Sequence, residues 1–218
     1  MPLSLFHKML HDLGAGYDGY ISLCGFGEPT LHPELGEFIQ SCYEMCPRSR
    51  ILLITNADNI DVLVNLPFTS NLEIQCSMYE QFSEDKIERL SMTRNKIVYK
   101  DILSDSLKYF NNRAGNSPRQ NTKELPMRQP CYLPFYKMSI DVNGDVILCC
   151  GDWRRQEIIG NILSENIYDI WNGDRLNHIR QELLVGNRTG KICERCDADG
   201  TLCGQQIVEK WKEIYGNK

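Results

Sequence analysis

Four cysteines in the second half of the chain are spaced like the ligands of one metal centre. Cys193 and Cys196 form a C-x2-C pair, and seventeen residues separate Cys131 from Cys149 upstream. Two thiolates of a C-x2-C pair can bind one ion or one cluster, and a second pair completes four ligands. Structural zinc usually draws on two close pairs. The wider upstream spacing therefore favours an iron-sulfur cluster, with zinc as the alternative.

A hairpin is predicted between the two upstream cysteines, because apolar residues alternate on either side of 143–144, which reads Asn-Gly. Asn-Gly favours a two-residue type I′ turn. Pairing about that turn places Cys149 opposite Met138. Cys131 can then join the site only if the chain turns back soon after it, as Pro134 allows.

The other cysteines have weaker claims to bind a metal. Cys150 follows Cys149 directly, and neighbouring residues of a strand point to opposite faces, so we assign the ligand to Cys149. Cys203 could replace a ligand or be a small buried residue. Cys42 and Cys46 lie four residues apart in a predicted helix, which is typical of core positions.

The first half of the chain places candidate binding residues after predicted strands. Gly25, Gly27, Glu28 and Pro29 follow a strand at 20–24, Asn56 follows one at 51–55, and Ser77 ends one at 72–77. A carboxylate such as Glu28 is costly to bury without a partner. It could receive a ligand's ammonium group or lie in a simple connecting turn.

Predicted helices alternate with these strands. Helical periodicity is seen at 5–13, from 32–33 onward, at 58–66 and at 84–92, and 96–103 reads as a fourth strand. Strand-helix alternation predicts a parallel α/β sheet or barrel, whose chemistry lies at the carboxyl ends of the strands. The three candidate stretches should therefore share one rim.

Composition divides the chain into three parts. Residues 1–110 form the α/β part, 111–130 are rich in Asn, Arg, Ser, Pro and Gln and read as a linker or active-site loop, and 131–218 hold the cysteine-rich unit. Short helices are predicted around 167–171 and 176–183, with a last helix at 207–215.

The totals bound the function. The chain has 218 residues, 42% hydrophobic content and a net charge of -5, so nothing indicates nucleic-acid or anionic-membrane binding. No apolar run approaches the roughly 20 residues of a membrane span. We expect a cytoplasmic protein. Ten cysteines in a reducing compartment favour metal ligation over disulfides.

Several of these pieces occur, in order, in one family. The chain resembles a radical S-adenosylmethionine (SAM) enzyme with a C-terminal SPASM or Twitch domain. Residues 25–29, Gly-Phe-Gly-Glu-Pro, look like the GGEP segment of that family, and 111–115 look like the stretch before its auxiliary domain. The cysteine pattern from 131 to 196 is similar to the auxiliary-cluster domain itself, in its shorter form.

The resemblance implies a partial (β/α) barrel of the radical SAM type, followed by a small α+β domain built on a hairpin. Gly27, Glu28 and Pro29, with Gly25 beside them, would line the methionine end of SAM. Glu28 would meet its amino group. Asn56 and Ser77 would face its ribose or carboxylate.

By the same resemblance, four cysteines would hold an auxiliary 4Fe-4S cluster that relays an electron: Cys131, Cys149, Cys193 and Cys196. The substrate would be a peptide or a small molecule, and the electron donor a flavodoxin or ferredoxin.

One element of the family is absent from the sequence. No C-x3-C-x2-C triplet, which holds the SAM-cleaving cluster, occurs in the 218 residues. Either residue 1 lies inside a longer natural chain, or the radical-generating part has been lost. Whether the chain is itself an enzyme is thus left open. The alternative function is a non-catalytic iron-sulfur module that binds a peptide or partner enzyme.

Overall fold

Four parallel strands in consecutive order form the sheet in the first half of the chain. They are β1 (Tyr20–Leu23), β2 (Arg50–Thr55), β3 (Leu72–Met78) and β4 (Lys96–Asp101). The helices are α1 (Leu3–Leu13), α2 (Leu35–Met45), α3 (Ile60–Val64) and α4 (Glu84–Ser91). The predicted α/β class with a parallel sheet is therefore confirmed, and all four strands end on one edge.

The computed structural model describes residues 1–102, 104, 111–117 and 123–215. Two compact units divide the chain, Met1–Lys108 and Tyr109–Lys218. Residues 118–122 of the predicted linker and residue 103 of the predicted fourth strand lie outside the described residues. No helix in the described ranges is long and apolar enough to cross a membrane.

Apolar side chains from both helices and strands bury the core of the first unit. Leu10 and Ile39 on the helices, and Ile51, Leu53 and Ile74 on the strands, have no exposed surface. Burying such a side chain contributes about 1.5–3 kcal/mol, which holds the strand ends in fixed positions. Cys42 and Cys46 are also fully buried, so their prediction as core residues is confirmed.

The second unit contains a small antiparallel sheet. Its strands are β5 (Ser139–Ile140), β6 (Asp145–Ile147) and β7 (Ile158–Asn161), paired in that order. Its helices are α5 (Leu133–Tyr136), α6 (Ile167–Asn172), α7 (Asp174–Leu184) and α8 (Gln205–Tyr215). The third strand, β7, is absent from the sequence prediction.

The turn between β5 and β6 differs from the predicted two-residue turn. Ile140 pairs with Val146, so three residues lie between Asp141 and Asp145. The Asp141 carboxylate accepts hydrogen bonds from the backbone of Asn143 (2.7 Å) and Asp145 (3.1 Å), and Gly144 has a φ of 85°. An aspartate that binds the backbone ahead of it favours this longer turn.

A helical turn follows Cys131, in the stretch where Pro134 allows the chain to turn back. Helix α5 contains Pro134 in its first turn, where proline's missing N–H and fixed φ cost nothing. Phe135 on α5 then packs edge-on against Trp211 of α8, with ring centres 5.1 Å apart. Residues 131–142 are therefore not one straight strand, which was the condition for Cys131 to join the other cysteines.

Candidate functional site

The carboxyl ends of β1, β2 and β3 bring the first group of predicted residues to one rim. Residues 25–29 follow β1, Asn56 follows β2, and Ser77 is the second-last residue of β3. Parallel pairing places Leu23 beside Leu53 and Thr55 beside Cys76, so each strand ends on the same edge, two residues short of the end of the next strand. Gly25 and Gly27 have open space where a side chain would lie.

Glu28 accepts four hydrogen bonds from other residues of this rim. Its Oε1 accepts from the backbone N–H of Thr30 (3.0 Å), the Thr30 hydroxyl (2.7 Å) and the Thr55 hydroxyl (2.6 Å). Its Oε2 accepts from the backbone N–H of Asn56 (2.9 Å). One carboxylate thus ties the loop after β1 to the end of β2.

These hydrogen bonds keep Glu28 ionised. Burial alone would raise its pKa, but the Thr55 hydroxyl, the Asn56 amide and Thr30 together lower that pKa below its ordinary value of 4.5. Each carboxylate oxygen carries two lone pairs. Oε1 already accepts three hydrogen bonds and Oε2 accepts only one, so the open acceptor position lies on Oε2, and a ligand ammonium group would have to approach there.

The side chains of Asn56 and Ser77 have different surroundings. Asn56 donates from Nδ2 to the Asp58 carboxylate (2.8 Å) and accepts from the Asp58 backbone (3.0 Å), which occupies its amide within the local turn. Ser77 is buried in β3 with 5% of its surface exposed. The backbone N–H of Asn56, which binds Glu28, contributes more to this rim than its side chain does.

The four predicted cysteine ligands come from three separate segments of the second unit. Cys131 precedes α5, Cys149 follows β6, and Cys193 begins a 3-10 turn that ends directly before Cys196. Cys131 is fixed on both sides, because its N–H donates to Leu183 and it forms a parallel bridge with Gly200.

The thiols of these segments lie close enough to interact electrostatically. Burial, with contributions from Cys131 and Cys196, raises the pKa of Cys193 to about 12. Burial also raises the pKa of Cys131, with a contribution from Cys196. Among the described residues, no group of three or more His, Cys, Asp or Glu is arranged to hold a single metal ion.

Three of the four sulfurs accept a hydrogen bond from the backbone N–H two residues further on. Gly151 donates to Cys149 (3.2 Å), Ala198 donates to Cys196 (3.4 Å), and Leu133 donates to Cys131. Such donors favour the thiolate, which is the form that binds metal, and tune the bound cluster. The donor set of four thiols with amide support therefore fits an iron-sulfur cluster.

Cys150 lies beside Cys149 and shares a hydrogen bond with it. That hydrogen bond raises the pKa of Cys149 and lowers the pKa of Cys150 to about 6, where Lys137 and Arg113 also favour the thiolate. The pair titrates as one unit. The Gly151 amide supports Cys149 as the ligand, whereas the lowered pKa favours the thiolate of Cys150, so the assignment to Cys149 stays a prediction.

Cys203 is exposed, so its interpretation as a buried residue is wrong. Cys203 and the other cysteines nevertheless act on one common neighbour, Tyr136. Burial raises the pKa of the Tyr136 hydroxyl to about 12, with contributions from Cys203, Cys131 and both Cys149 and Cys150. The Tyr136 hydroxyl therefore lies within electrostatic reach of these thiols, which the sequence pattern does not reveal.

Asn112 is a second residue that the sequence analysis did not single out. It is 5% exposed, its Nδ2 donates to the Arg195 carbonyl (2.6 Å), and its N–H donates to the Asp197 carboxylate (2.6 Å). Its Oδ1 accepts from the backbone of Gly115 and Asp197. Residues 111–117 are thereby attached to the segment that carries Cys196.

Comparison with known proteins agrees with this geometry. Residues 131–197, which include all four cysteines, match SPASM, an iron-sulfur cluster-binding domain. The predicted iron-sulfur cofactor of this unit is therefore confirmed.

Relatives extend the similarity to the rest of the chain. The S-adenosyl-L-methionine-dependent 2-deoxy-scyllo-inosamine dehydrogenase of Niallia circulans is 27% identical over 209 residues, which are 90% of this chain and 80% of that protein. The crystal structure of BtrN in complex with AdoMet and 2-DOIA has a TM-score of 0.72 at 25% identity, over 91% of this chain and 81% of that one.

A third comparison concerns the fold alone. The structure of anSMEcpe with bound AdoMet has a TM-score of 0.55 at 11% identity and covers 98% of this chain and 84% of that one. The family match and the relatives agree, so the predicted resemblance to a radical SAM enzyme with a C-terminal SPASM iron-sulfur domain is confirmed.

Proposed function

We propose that the chain is a fragment or truncated form of a SAM-dependent oxidoreductase. That enzyme would dehydrogenate a hydroxyl group of a small polar molecule of the aminoinositol class. The observation that carries the proposal is similarity across both units to a SAM-dependent dehydrogenase of that substrate class, together with four cysteines inside the SPASM match. Oxidation of an alcohol to a ketone removes one hydrogen atom, one proton and one electron. SAM and the auxiliary cluster, when bound, would supply hydrogen abstraction and electron transfer.

In this proposal the two units have separate roles. Residues 1–110 form a partial (β/α) barrel that binds SAM at the rim, and 131–218 form the SPASM domain with its hairpin, with 111–130 as a loop before it. The consecutive parallel order of β1 to β4 supports the barrel assignment. A flavodoxin or ferredoxin would be the electron donor.

The SPASM unit would hold a 4Fe-4S cluster through Cys131, Cys149, Cys193 and Cys196. Because four thiolates satisfy four irons, no iron position stays open for substrate, which favours electron relay over substrate binding. The amides that donate to Cys131, Cys149 and Cys196 would hold these sulfurs in the ligating orientation.

At the rim, Glu28 would receive the ammonium group of SAM at the remaining position of Oε2, while Gly25 and Gly27 leave room for its methionine end. Pro29 begins the 3-10 turn that carries Thr30 onto Glu28. Asn56 would contribute chiefly through its backbone, and Ser77 through its place at the end of β3.

The cluster assignment is tested by iron and sulfide analysis of anaerobically reconstituted protein. We expect about four irons per chain, with a large loss in Cys149→Ser and little change in the matched variant Cys203→Ser. One zinc per chain, or equal iron loss in both variants, would contradict the ligand set.

The SAM site is tested by equilibrium dialysis with SAM and with 5′-methylthioadenosine, which lacks the amino acid end. The wild-type chain should bind SAM more tightly, and Glu28→Gln should reduce that difference. Cluster binding without SAM affinity would instead support the non-catalytic module.

The substrate class is tested by ligand-detected NMR with 2-deoxy-scyllo-inosamine. Binding is expected in the presence of SAM, and an inositol without the amine is the control. Equal signals from both compounds, or none from either, would contradict the proposed substrate class.

A further inference from the structure

Arg188 is a buried arginine close to segments that carry the predicted cysteine ligands. Neither the family match nor the proposed function assigns it a role. It follows α7, precedes Cys193 by five residues in the sequence, and has only 2% of its surface exposed. The chain thus places a charged side chain, which prefers water, inside the cysteine-rich unit.

The guanidinium of Arg188 holds two segments that carry cluster ligands. It donates to the carbonyls of Gln129 (2.8 Å) and Pro130 (2.8 Å), which directly precede Cys131. It also donates to the carbonyl of Ala198 (2.9 Å), two residues after Cys196. A planar guanidinium can bind several acceptors at fixed angles, which a lysine cannot.

The positive charge of Arg188 is not neutralised by a carboxylate. Its polar contacts are backbone carbonyls and the Met127 sulfur, and within the described residues it forms no ion pair. The pKa of Asp199 is lowered chiefly by hydrogen bonds from Thr201 and only slightly by the charge of Arg188, and this carboxylate is exposed. A buried cation needs a nearby anion.

The candidates for that anion are the thiolates. The Pro130 carbonyl that accepts from Arg188 belongs to the residue before Cys131, and the Ala198 carbonyl lies two residues after Cys196. Arg188 is therefore held beside two ligands that come from different segments.

We propose that Arg188 is the counter-ion of the auxiliary cluster: its fixed charge, held by Gln129, Pro130 and Ala198, raises the reduction potential of the site. The inference rests on the proposed ligand set. One-electron reduction makes a thiolate-ligated cluster more negative, so a nearby cation stabilises the reduced form. Arg188 is a positioning and charge-tuning residue and takes no part in bond making.

The experiment is an anaerobic redox titration of the reconstituted chain with dithionite, followed by EPR of the reduced cluster. Arg188→Gln removes the charge and keeps hydrogen-bonding groups. Arg188→Lys keeps the charge but lacks the planar guanidinium with its several N–H donors. We expect a more negative midpoint potential in the Gln variant and a potential close to wild type in the Lys variant.

Arg180 provides the matched control. It is equally buried, with 1% exposed, and also donates to carbonyls, those of Pro134 (3.0 Å) and Trp171 (2.7 Å). Its guanidinium stacks on the Trp171 ring, 4.2 Å from the ring centre. Arg180→Gln should leave the potential of the bound cluster unchanged.

The outcomes separate the two claims. An unchanged potential in Arg188→Gln would overturn the counter-ion role. If Arg188→Gln takes up no iron while Arg188→Lys does, the charge is required and the role is supported; equal loss in both variants would overturn it and leave Arg188 a structural anchor. Wild-type protein that binds no iron would contradict the ligand set itself.

Discussion

Replacing Glu28 with glutamine should weaken the first unit in a pH-dependent way. An amide oxygen at the Oε1 position can keep the three hydrogen bonds from Thr30 and Thr55, but the amide NH2 would then face the Asn56 N–H, and that bond is lost. Charge-assisted hydrogen bonds contribute about 1.5–3 kcal/mol and neutral ones about 0.5–1.5 kcal/mol. We expect a loss of about 2–4 kcal/mol, near the lower value because Glu28 is half-buried.

The dependence on pH follows from the direction of the pKa shift. Since the pKa of Glu28 is lowered in the folded state, its stabilising effect is complete above the unfolded value of 4.5 and is lost as pH falls through the folded pKa. The stability difference between wild type and Glu28→Gln should therefore be full at pH 7 and should diminish in acid.

Urea unfolding at several pH values measures that difference, and hydrogen exchange of β1 and β2 locates it in the first unit. Glu88→Gln is the control, because Glu88 is exposed on α4 and should change stability by less than about 0.5 kcal/mol. A loss that is the same at pH 7 and in acid would refute the assigned role of the Glu28 charge.

Three further predictions concern the whole chain and its second unit. A Cβ at Gly200 would lie 2.6 Å from the backbone of a ligand cysteine, whereas nothing lies within 4 Å of Gly190; Gly200→Ala should lower iron uptake and Gly190→Ala should not. Asn112→Ala removes three side-chain hydrogen bonds and should lower the free energy of unfolding by about 2–4 kcal/mol, measured by urea denaturation. With no C-x3-C-x2-C triplet among its 218 residues, the reconstituted chain should yield no 5′-deoxyadenosine by chromatography; its formation would contradict this expectation.

The strands and most helices could be predicted because hydrophobic periodicity is a local property. The run at 51–55 and the stripe of α1 are visible in the sequence alone, and both match the structure to within a few residues. The grouping of residues 25–29 with Asn56 followed from a general rule, that parallel strands end on one edge. The hydrogen bonds of Glu28 did not follow, because two of the four come from backbone N–H groups, which every residue carries, and the other two come from the hydroxyls of Thr30 and Thr55, which only the fold brings to this carboxylate.

The hairpin shows where local rules compete. Asn-Gly at 143–144 favours a two-residue turn, but the Asp141 side chain binds the backbone at Asn143 and Asp145 and selects three residues instead. Ser139 then pairs with Ile147, the last residue of β6, so the predicted pairing of Cys149 with Met138 is wrong and Cys149 lies beyond the paired residues.

Arg188 could not be recognised from the sequence, since an arginine after a helix is ordinarily solvent-exposed. Its burial depends on three carbonyls that are distant along the chain, at 129, 130 and 198. The cysteine spacing specifies the ligands of the site, whereas its electrostatic balance depends on contacts that only the folded chain brings together. Four thiolates form an anion wherever they converge, and a buried guanidinium without a carboxylate partner is the complementary charge that such a site requires.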